Sequence, residues 1–345
     1  MKKFIIFMCK CCIAGVISLI VLSLFSAVYY NPPIATVQPD GVTNYKYVPN
    51  TGWSYMLEGF GHGKTDSTGY NSAYYSDATE YDIVFAGSSH LEALNVPSDA
   101  NFVYLLNEML DTDDLSDNDY KCLNLGVSGH FFEVTASNYE YIADKFADAK
   151  YIVIEVFNAE YSADVLDGIL ENRYREPMAE KGAIYEAVKR IPFVRLMYKK
   201  IGEVMSVSNA AALEVENNAS LNADEVMAVY TEKMSAVLEE IAAFSSEKGI
   251  TPIILMHERF WENSDGGIVM ETNEDYKAAF KLCCEDNGIK VIDVCYDMVA
   301  YYEATDILPY GFSNSVPGEG HLNVTGHRII AECVYKFITE TEAAE

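Results

Sequence analysis

Two short stretches, far apart in the chain, hold the residue types needed to activate a nucleophile. The first is Tyr81-Asp82-Ile83-Val84-Phe85-Ala86-Gly87-Ser88-Ser89-His90, an apolar run that ends in a small polar turn. A buried strand delivering such a turn is how α/β proteins present a side chain above the carboxyl end of a sheet. Glycine lets the backbone turn sharply, so Ser89 can stand exposed; an ordinary polar turn is the plainer alternative. The second stretch is Glu319-Gly320-His321-Leu322-Asn323-Val324-Thr325-Gly326-His327. There His321 precedes the final helix and can reach back over the sheet edge towards Ser89. A histidine takes a serine proton and returns it to a leaving group. A carboxylate on its other nitrogen would fix the tautomer and stabilise the imidazolium. Glu319 is the nearest acid in sequence and the expected partner. The alternative is a Ser89–His321 dyad with some other orienting group.

Other candidates are weaker. His90, beside the serine, and His257, after an apolar run at 252–256, are expected to border a substrate pocket. His130 and His327 are read as outside the chemistry. Histidines and carboxylates show no compact metal-ligand spacing, and no phosphate-cradling glycine loop occurs, so neither metal nor cofactor is expected.

The elements that must position these residues alternate. Strands are expected at 82–86, 121–125, 151–156, 252–256 and 289–294, separated by helical patterns such as 97–110, 133–147, 226–244 and 276–284. An acidic turn at 111–119 returns the chain to the second strand. That rhythm is the signature of a mostly parallel sheet covered on both faces, a three-layer α/β/α sandwich. Residues 161–222 break it and read as an inserted helical segment. Residues 31–77, with Pro32-Pro33 and little periodicity, read as a stalk and a lead-in that packs on the domain without adding to its central sheet. The globular domain spans 78–345.

The chain has 345 residues, half of them hydrophobic, and a formal net charge of −28. Its first thirty positions carry no acid, and without Lys2, Lys3 and Lys10 the remainder has 21 basic against 52 acidic residues. A body so acidic repels nucleic acids, which are excluded as partners. Cys11 to Tyr30 is an uncharged, mostly apolar run long enough to cross a bilayer, and the preceding lysines favour a cytoplasmic amino terminus. Residues 1–30 are therefore read as a retained single-pass anchor, with a cleaved signal peptide as the competing reading. The body would lie outside the cytoplasmic membrane. Its odd set of cysteines (Cys122, Cys283, Cys284, Cys295 and Cys333) reads as buried thiols, not a disulfide framework.

With Gly-Ser-Ser at one end and His-Leu-Asn-x-x-Gly at the other, the chain resembles the SGNH/GDSL hydrolase superfamily over about residues 80–340. The resemblance implies Ser89 as nucleophile and His321 as base. It implies an oxyanion hole built from the amides of Ser89 and Gly126, the latter in Asn124-Leu125-Gly126, and from the side chain of Asn158. Three departures stand out: Gly87-Ser88-Ser89 replaces Gly-Asp-Ser, Val156-Phe157-Asn158-Ala159 replaces Gly-x-Asn-Asp, and Gly318 stands where the family carries its acid. The Gly-Ser-Ser variant is associated with membrane-anchored bacterial members that act on envelope polymers. The resemblance thus implies an extracytoplasmic serine esterase or O-acyltransferase. Its expected partners are an acylated glycan, the membrane and a membrane-embedded acyl-donor protein. A partner in D-alanyl transfer to teichoic acid, like the DltD family, is the alternative within the fold; an inactive binding module is the alternative outside enzymology.

One further pattern lies in the inserted segment. Arg173, Arg175, Lys181, Lys189, Arg190, Arg195, Lys199 and Lys200 are eight of the chain's 24 basic residues. Ile191, Phe193, Val194, Leu196, Met197, Tyr198 and Ile201 are interleaved among them. A helix after Pro192 would carry an apolar side flanked by cations. It would either pack on the domain as an ordinary amphipathic helix or sit at the mouth of the site, facing an anionic membrane or a charged glycan.

Overall fold

The computed structural model describes residues 2–37, 41–75, 77–112, 120–175, 179, 182–210 and 223–342. Most of the acidic turn expected at 111–119, and the 211–222 end of the inserted segment, fall outside those residues.

Five parallel strands form the central sheet: β1 (Ile83–Ala86), β2 (Cys122–Asn124), β3 (Tyr151–Val156), β4 (Thr251–Met256) and β5 (Lys290–Asp293). Their spatial order is β5-β4-β3-β1-β2. These are the five runs read from the sequence: β1, β2 and β5 are shorter at one or both ends, β3 has the expected bounds and β4 begins one residue earlier. Each is apolar on both sides because both faces are covered. Val84, Ala86, Ile152, Ile154, Val156, Ile254 and Met256 point into one core, while Ile83, Phe85, Tyr151, Val153, Ile253 and Leu255 point into the other.

The helices divide between these cores. In chain order they are α1 (Lys2–Tyr29), α2 (Ser89–Glu92), α3 (Phe102–Thr112), α4 (Phe132–Ser137), α5 (Tyr139–Lys145), α6 (Ala163–Leu170), α7 (Ala183–Val188), α8 (Pro192–Ala210), α9 (Ala223–Lys248), α10 (Glu274–Asp286), α11 (Cys295–Thr305) and α12 (Val324–Glu342). Phe132, Tyr139, Leu166, Met234 and Phe280 bring α4, α5, α6, α9 and α10 to the first face. Leu91, Phe102, Leu106, Met298 and Ile330 bring α2, α3, α11 and α12 to the second. The single helix expected at 133–147 is broken at Asn138 into α4 and α5.

The chain leaves β1 on one face and β3 on the other. The crevice between their carboxyl ends is therefore the topological switch point where ligands of open α/β sheets bind. Ser89 follows the carboxyl end of β1 and Asn158 that of β3.

The lead-in is folded from its first residue, not extended as a stalk. Tyr30–Asn31, Gly52–Tyr55 and Gly61–Lys64 form a small antiparallel sheet, and Ala35–Val37 pairs with Tyr45–Tyr47. Neither joins the central sheet. The glycines explain why this segment docks so closely. A side chain at Gly61 would overlap the carbonyl of Leu94, and one at Gly63 would overlap Ser98. Alternate glycines leave one side of the strand bare, and its backbone lies directly on the 94–98 loop. Of the five body cysteines expected to be buried thiols, Cys122, Cys283, Cys284 and Cys295 are buried and free, and Cys333 is free but only half-buried.

Three buried histidines each accept a backbone N–H. His130 Nε2 accepts from Asn44 at 2.9 Å, tying the lead-in to the domain. His327 Nδ1 accepts from Phe102 at 3.3 Å at the start of α3, and His90 Nδ1 accepts from Leu322 at 3.3 Å. Burial disfavours the charged ring in all three, bringing His130 down to about 4, His327 down to about 3 and His90 well below the ordinary value. The unfolded chain therefore binds more protons than the native one from about pH 6.5 downward. Stability is fully present above that pH. It should fall on acidification towards pH 4, by roughly 1.4 kcal/mol per pH unit for each histidine that titrates. His130→Gln and His327→Gln should each make this fall shallower in denaturant melts run from pH 7 to 4.5. A slope equal to wild type would show that these rings do not stay neutral in the native state.

Candidate active site

Ser89 and His321 meet across 232 residues of chain: Ser89 Oγ lies 2.9 Å from His321 Nε2. Each is placed by its local backbone. Ser88 caps α2, its hydroxyl accepting from the amide of His90, and this turn lifts Ser89 onto the first helical position above β1. His321 sits in the loop before α12, where Gly311 N donates to its carbonyl and Tyr310 bridges to Leu322. Asn323 locks the loop, donating to the carbonyls of Leu308 and Gly311 and accepting from the amides of Thr325 and Gly326. Both side chains remain partly open to solvent.

The carboxylate on the other imidazole nitrogen belongs to Glu58, not Glu319. His321 Nδ1 donates to Glu58 Oε2 at 2.8 Å, and the His321 amide donates to Oε1 at 2.7 Å. One carboxylate thus fixes both ring and backbone of the histidine. Its position follows from the lead-in. Asn95 Nδ2 donates to the Glu58 carbonyl, and Asn314 clamps the turn by accepting from Gly59 N and donating to the carbonyls of Met56 and Gly59. Burial pushes the Glu58 carboxyl up. The hydrogen bonds and charge of His321 outweigh it, helped by the charge of Lys199, and hold the group below its usual range. Glu58 is therefore the ionised acceptor that fixes Nδ1–H, leaving Nε2 to accept from the serine.

Glu319 fails as the partner because of the backbone between it and His321. Gly318 and Gly320 both adopt positive φ, 82° and 75°, so the loop turns twice. Glu319 is exposed and lines a separate cleft with Arg259 and Trp261. Gly320 has a second duty, since a side chain there would overlap Glu58 Oε1.

Three further expectations are corrected. The Gly126 amide donates to Asn124 Oδ1 at 2.7 Å, so it is not directed at an oxyanion. The residue is glycine because α2 leaves no room, a side chain there overlapping the backbone of Leu91 and Glu92. His90 is buried, its ring stacked on Phe157 at 4.5 Å with Nδ1 accepting from the Leu322 amide; it supports the His321 loop from beneath. His257 is fully buried and touches the site from below. Its Nε2 donates to Glu155 Oε1 at 2.9 Å, and its Nδ1 accepts from Tyr310 Oη at 2.7 Å. Glu155 in turn accepts from Ser88, from the amide at 2.6 Å and the hydroxyl at 3.1 Å. Gly87 makes this possible, because a Cβ there would overlap Glu155. The chain Ser88–Glu155–His257–Tyr310 joins the serine turn to the residue that bridges to Leu322. Every carboxylate and ring polar atom in it is paired, as burial demands.

Asn158 lines a cleft of about 290 Å³ with Ser88, Phe131, Glu155 and Tyr161. Its Oδ1 closes a turn by accepting from Glu160 N at 2.6 Å. Among the described residues no group of His, Cys, Asp or Glu is arranged to hold a metal ion.

Glu58 was the residue the sequence reading missed. The available signal was the alternation Glu58-Gly59-Phe60-Gly61-His62-Gly63, a glycine-faced strand, which marks backbone packed closely on something. An acid at the head of such a strand has a fixed position, unlike one on a stalk.

No family model and no curated relative matches the chain. Its fold is similar to solved structures of GDSL-type hydrolases. They include an acetyl xylan esterase (15% identity, 74% of this chain and 98% of that one covered, TM-score 0.39). A member of the lipolytic G-D-S-L family from Veillonella parvula matches at 13% identity, with 74% and 97% covered and a TM-score of 0.37. A lipase/acylhydrolase from Enterococcus faecalis matches at 12%, with 75% and 95% covered and a TM-score of 0.37. At so slight a likeness, chemistry has to be read from the site itself.

The Glu58–Gly320 contact yields a sharp test. Gly320→Ala should displace the Glu58 carboxylate and slow the labelling of Ser89 by a fluorophosphonate at least tenfold. Gly288→Ala also forces a side chain into positive φ, but in open space; it should cost about 1–2 kcal/mol of stability and leave labelling unchanged. Equal labelling in the two variants would show that Gly320 serves only the turn.

Proposed function

We propose that this protein is a serine esterase or O-acyltransferase, with Ser89 as nucleophile, His321 as general base and Glu58 as the orienting acid. The observation that carries the reading is the continuous line Ser89 Oγ–His321 Nε2, His321 Nδ1–Glu58 Oε2, at 2.9 and 2.8 Å. Ser89 Oγ attacks an ester carbonyl while its proton passes to Nε2. The tetrahedral intermediate collapses, the proton goes to the departing alkoxide, and an acyl-serine remains. Water or a sugar hydroxyl, deprotonated by the same nitrogen, then releases the acyl group. The Ser89 amide, in the first turn of α2 with no intrahelical acceptor, and the Asn158 side chain are the proposed oxyanion donors. An inactive module was favoured only by the acid missing at Gly318, and Glu58 supplies that acid from elsewhere.

The substrate reading is an O-acetyl group on a cell-surface polysaccharide, reached from the outer side of the cytoplasmic membrane. It is supported by α1, which is long and apolar enough to cross a bilayer and has Lys2, Lys3 and Lys10 towards its amino terminus.

Ser89→Ala and His321→Ala should each remove nearly all acetyl-ester hydrolysis, the double variant should be little worse, and circular dichroism should be unchanged. Near wild-type turnover in Ser89→Ala would refute the nucleophile assignment. Membranes washed in high salt should retain the chain, because apolar insertion is not screened. A mature amino terminus between Ser26 and Pro33, with protein in the medium, would refute the anchor.

A further inference from the structure

The body begins before α1 ends. Ser26 is buried, Ser54 Oγ donates to the Ala27 carbonyl at 2.9 Å, and Met56 N donates to the Tyr29 carbonyl at 3.0 Å. The uncharged part of α1 that stands clear of the body is therefore Cys11–Phe25. Fifteen residues at 1.5 Å each give roughly 22 Å of helix, against about 30 Å of hydrocarbon. Lys10 can snorkel over part of that difference. Phe4–Met8 continue the apolar helix beyond Lys10 at the amino-terminal end, and at the other boundary the lipid meets the protein surface around the carboxyl end of α1.

That surface is made by α7 and α8. α8 packs along α1 and against the Tyr30–Asn31 strand. Arg195 fastens it there, donating to the carbonyl of Pro32 and to Asn31 Oδ1. Around this attachment Ile184, Val188, Ile191, Met197, Tyr198 and Ile201 are all exposed, Ile184 by 83% and Tyr198 by 74%. Lys199, Lys200 and Arg190 are exposed beside them. A cleft of about 760 Å³ opens between the two helices and the Pro32–Ala35 segment, walled by Pro33, Ile34, Val188 and Val194. On a body with a surplus of acids, exposed apolar residues ringed by cations, beside a membrane-crossing helix, match an anionic lipid surface.

We propose that α7 and α8 form a seat that rests the body on the anionic lipid leaflet around α1. The inference depends on α1 crossing a membrane, as read above. The apolar side chains of α7 and the first half of α8 enter the headgroup boundary, and the neighbouring lysines meet lipid phosphates, each worth about 1 kcal/mol near such a surface. The seat also fixes the height of the reaction. Glu58 lies in the turn between the two strands of the small sheet that pairs with Tyr30–Asn31, directly after α1, and the charge of Lys199 on the seat acts on its carboxylate. Ser89 is then held near the bilayer surface, where it meets substrates attached to or emerging from the membrane, and not on a flexible stalk above it.

The test uses the full chain in nanodiscs, with a photoreactive diazirine residue replacing Tyr198 and, as control, the exposed Leu282 of α10. In phosphatidylglycerol discs, irradiation should give lipid adducts at position 198 and none at 282. In phosphatidylcholine discs, or with Lys199→Glu/Lys200→Glu, the yield at 198 should drop several-fold. Chain retained in the discs without adduct at 198 would overturn the seat, and equal yield in both lipids would overturn its preference for anionic lipid. Loss of the chain from the discs would instead overturn the anchor reading.

Discussion

The structure turns on one carboxylate. Glu58 accepts both the ring Nδ1–H and the backbone N–H of His321, joining the lead-in to the last loop of the domain. Hydrogen bonds to an ionised acceptor are each worth about 1.5–3 kcal/mol, and these two act on a single residue. They set the direction of Nε2, and with it the 2.9 Å contact to Ser89. Much of the surrounding sequence can be understood as making room for this contact. Gly320 is bare where Glu58 approaches, and Gly59, Gly61 and Gly63 let the turn that carries Glu58 and the strand after it lie on the 94–98 loop. Asn95 and Asn314 then hold the turn from either side.

Beneath the site lies a second polar layer. Glu155 is buried between β1 and β4 and is satisfied by Ser88 and His257. A carboxylate taken out of water and left unpaired costs several kcal/mol, so each member of this chain constrains the others. Ser88 thereby has both its amide and its hydroxyl bound to Glu155. Glu92, at the end of α2, does similar work at the side, accepting from Tyr47 of the lead-in and from Ser128 after β2. Histidines 90, 130 and 327 complete the scaffold as neutral acceptors. The lead-in is therefore packed into the body and supplies one of the residues of the candidate site.

The sequence made some of this legible and hid the rest for physical reasons. Five apolar runs bounded by turn residues could hardly be anything but buried parallel strands, and Ser89 and His321 stand beside the strongest local signals, a strand end and a helix start. Glu58 was hidden because nothing local announces it: the stretch lacks core periodicity, and its meaning comes from a contact 263 residues away. Gly126 was misread because a glycine after a strand serves close packing as readily as oxyanion binding, and here α2 occupies the space. His257 points to the correct end of the sheet, yet from inside. Sequence order gives the end of a strand but not whether the following side chain rises from it or folds beneath.

If Glu58 is the acid of this site, a large part of the reactivity of Ser89 resides in a segment that precedes the central sheet. The direct measurement is the rate at which a fluorophosphonate labels Ser89 in wild type, Glu58→Gln and Glu319→Gln under identical conditions. An orienting carboxylate lost from a Ser-His-acid line lowers reactivity by about 100-fold or more. The account predicts that loss for Glu58→Gln and a wild-type rate for Glu319→Gln. A wild-type rate for Glu58→Gln, or a comparable loss for Glu319→Gln, would contradict it.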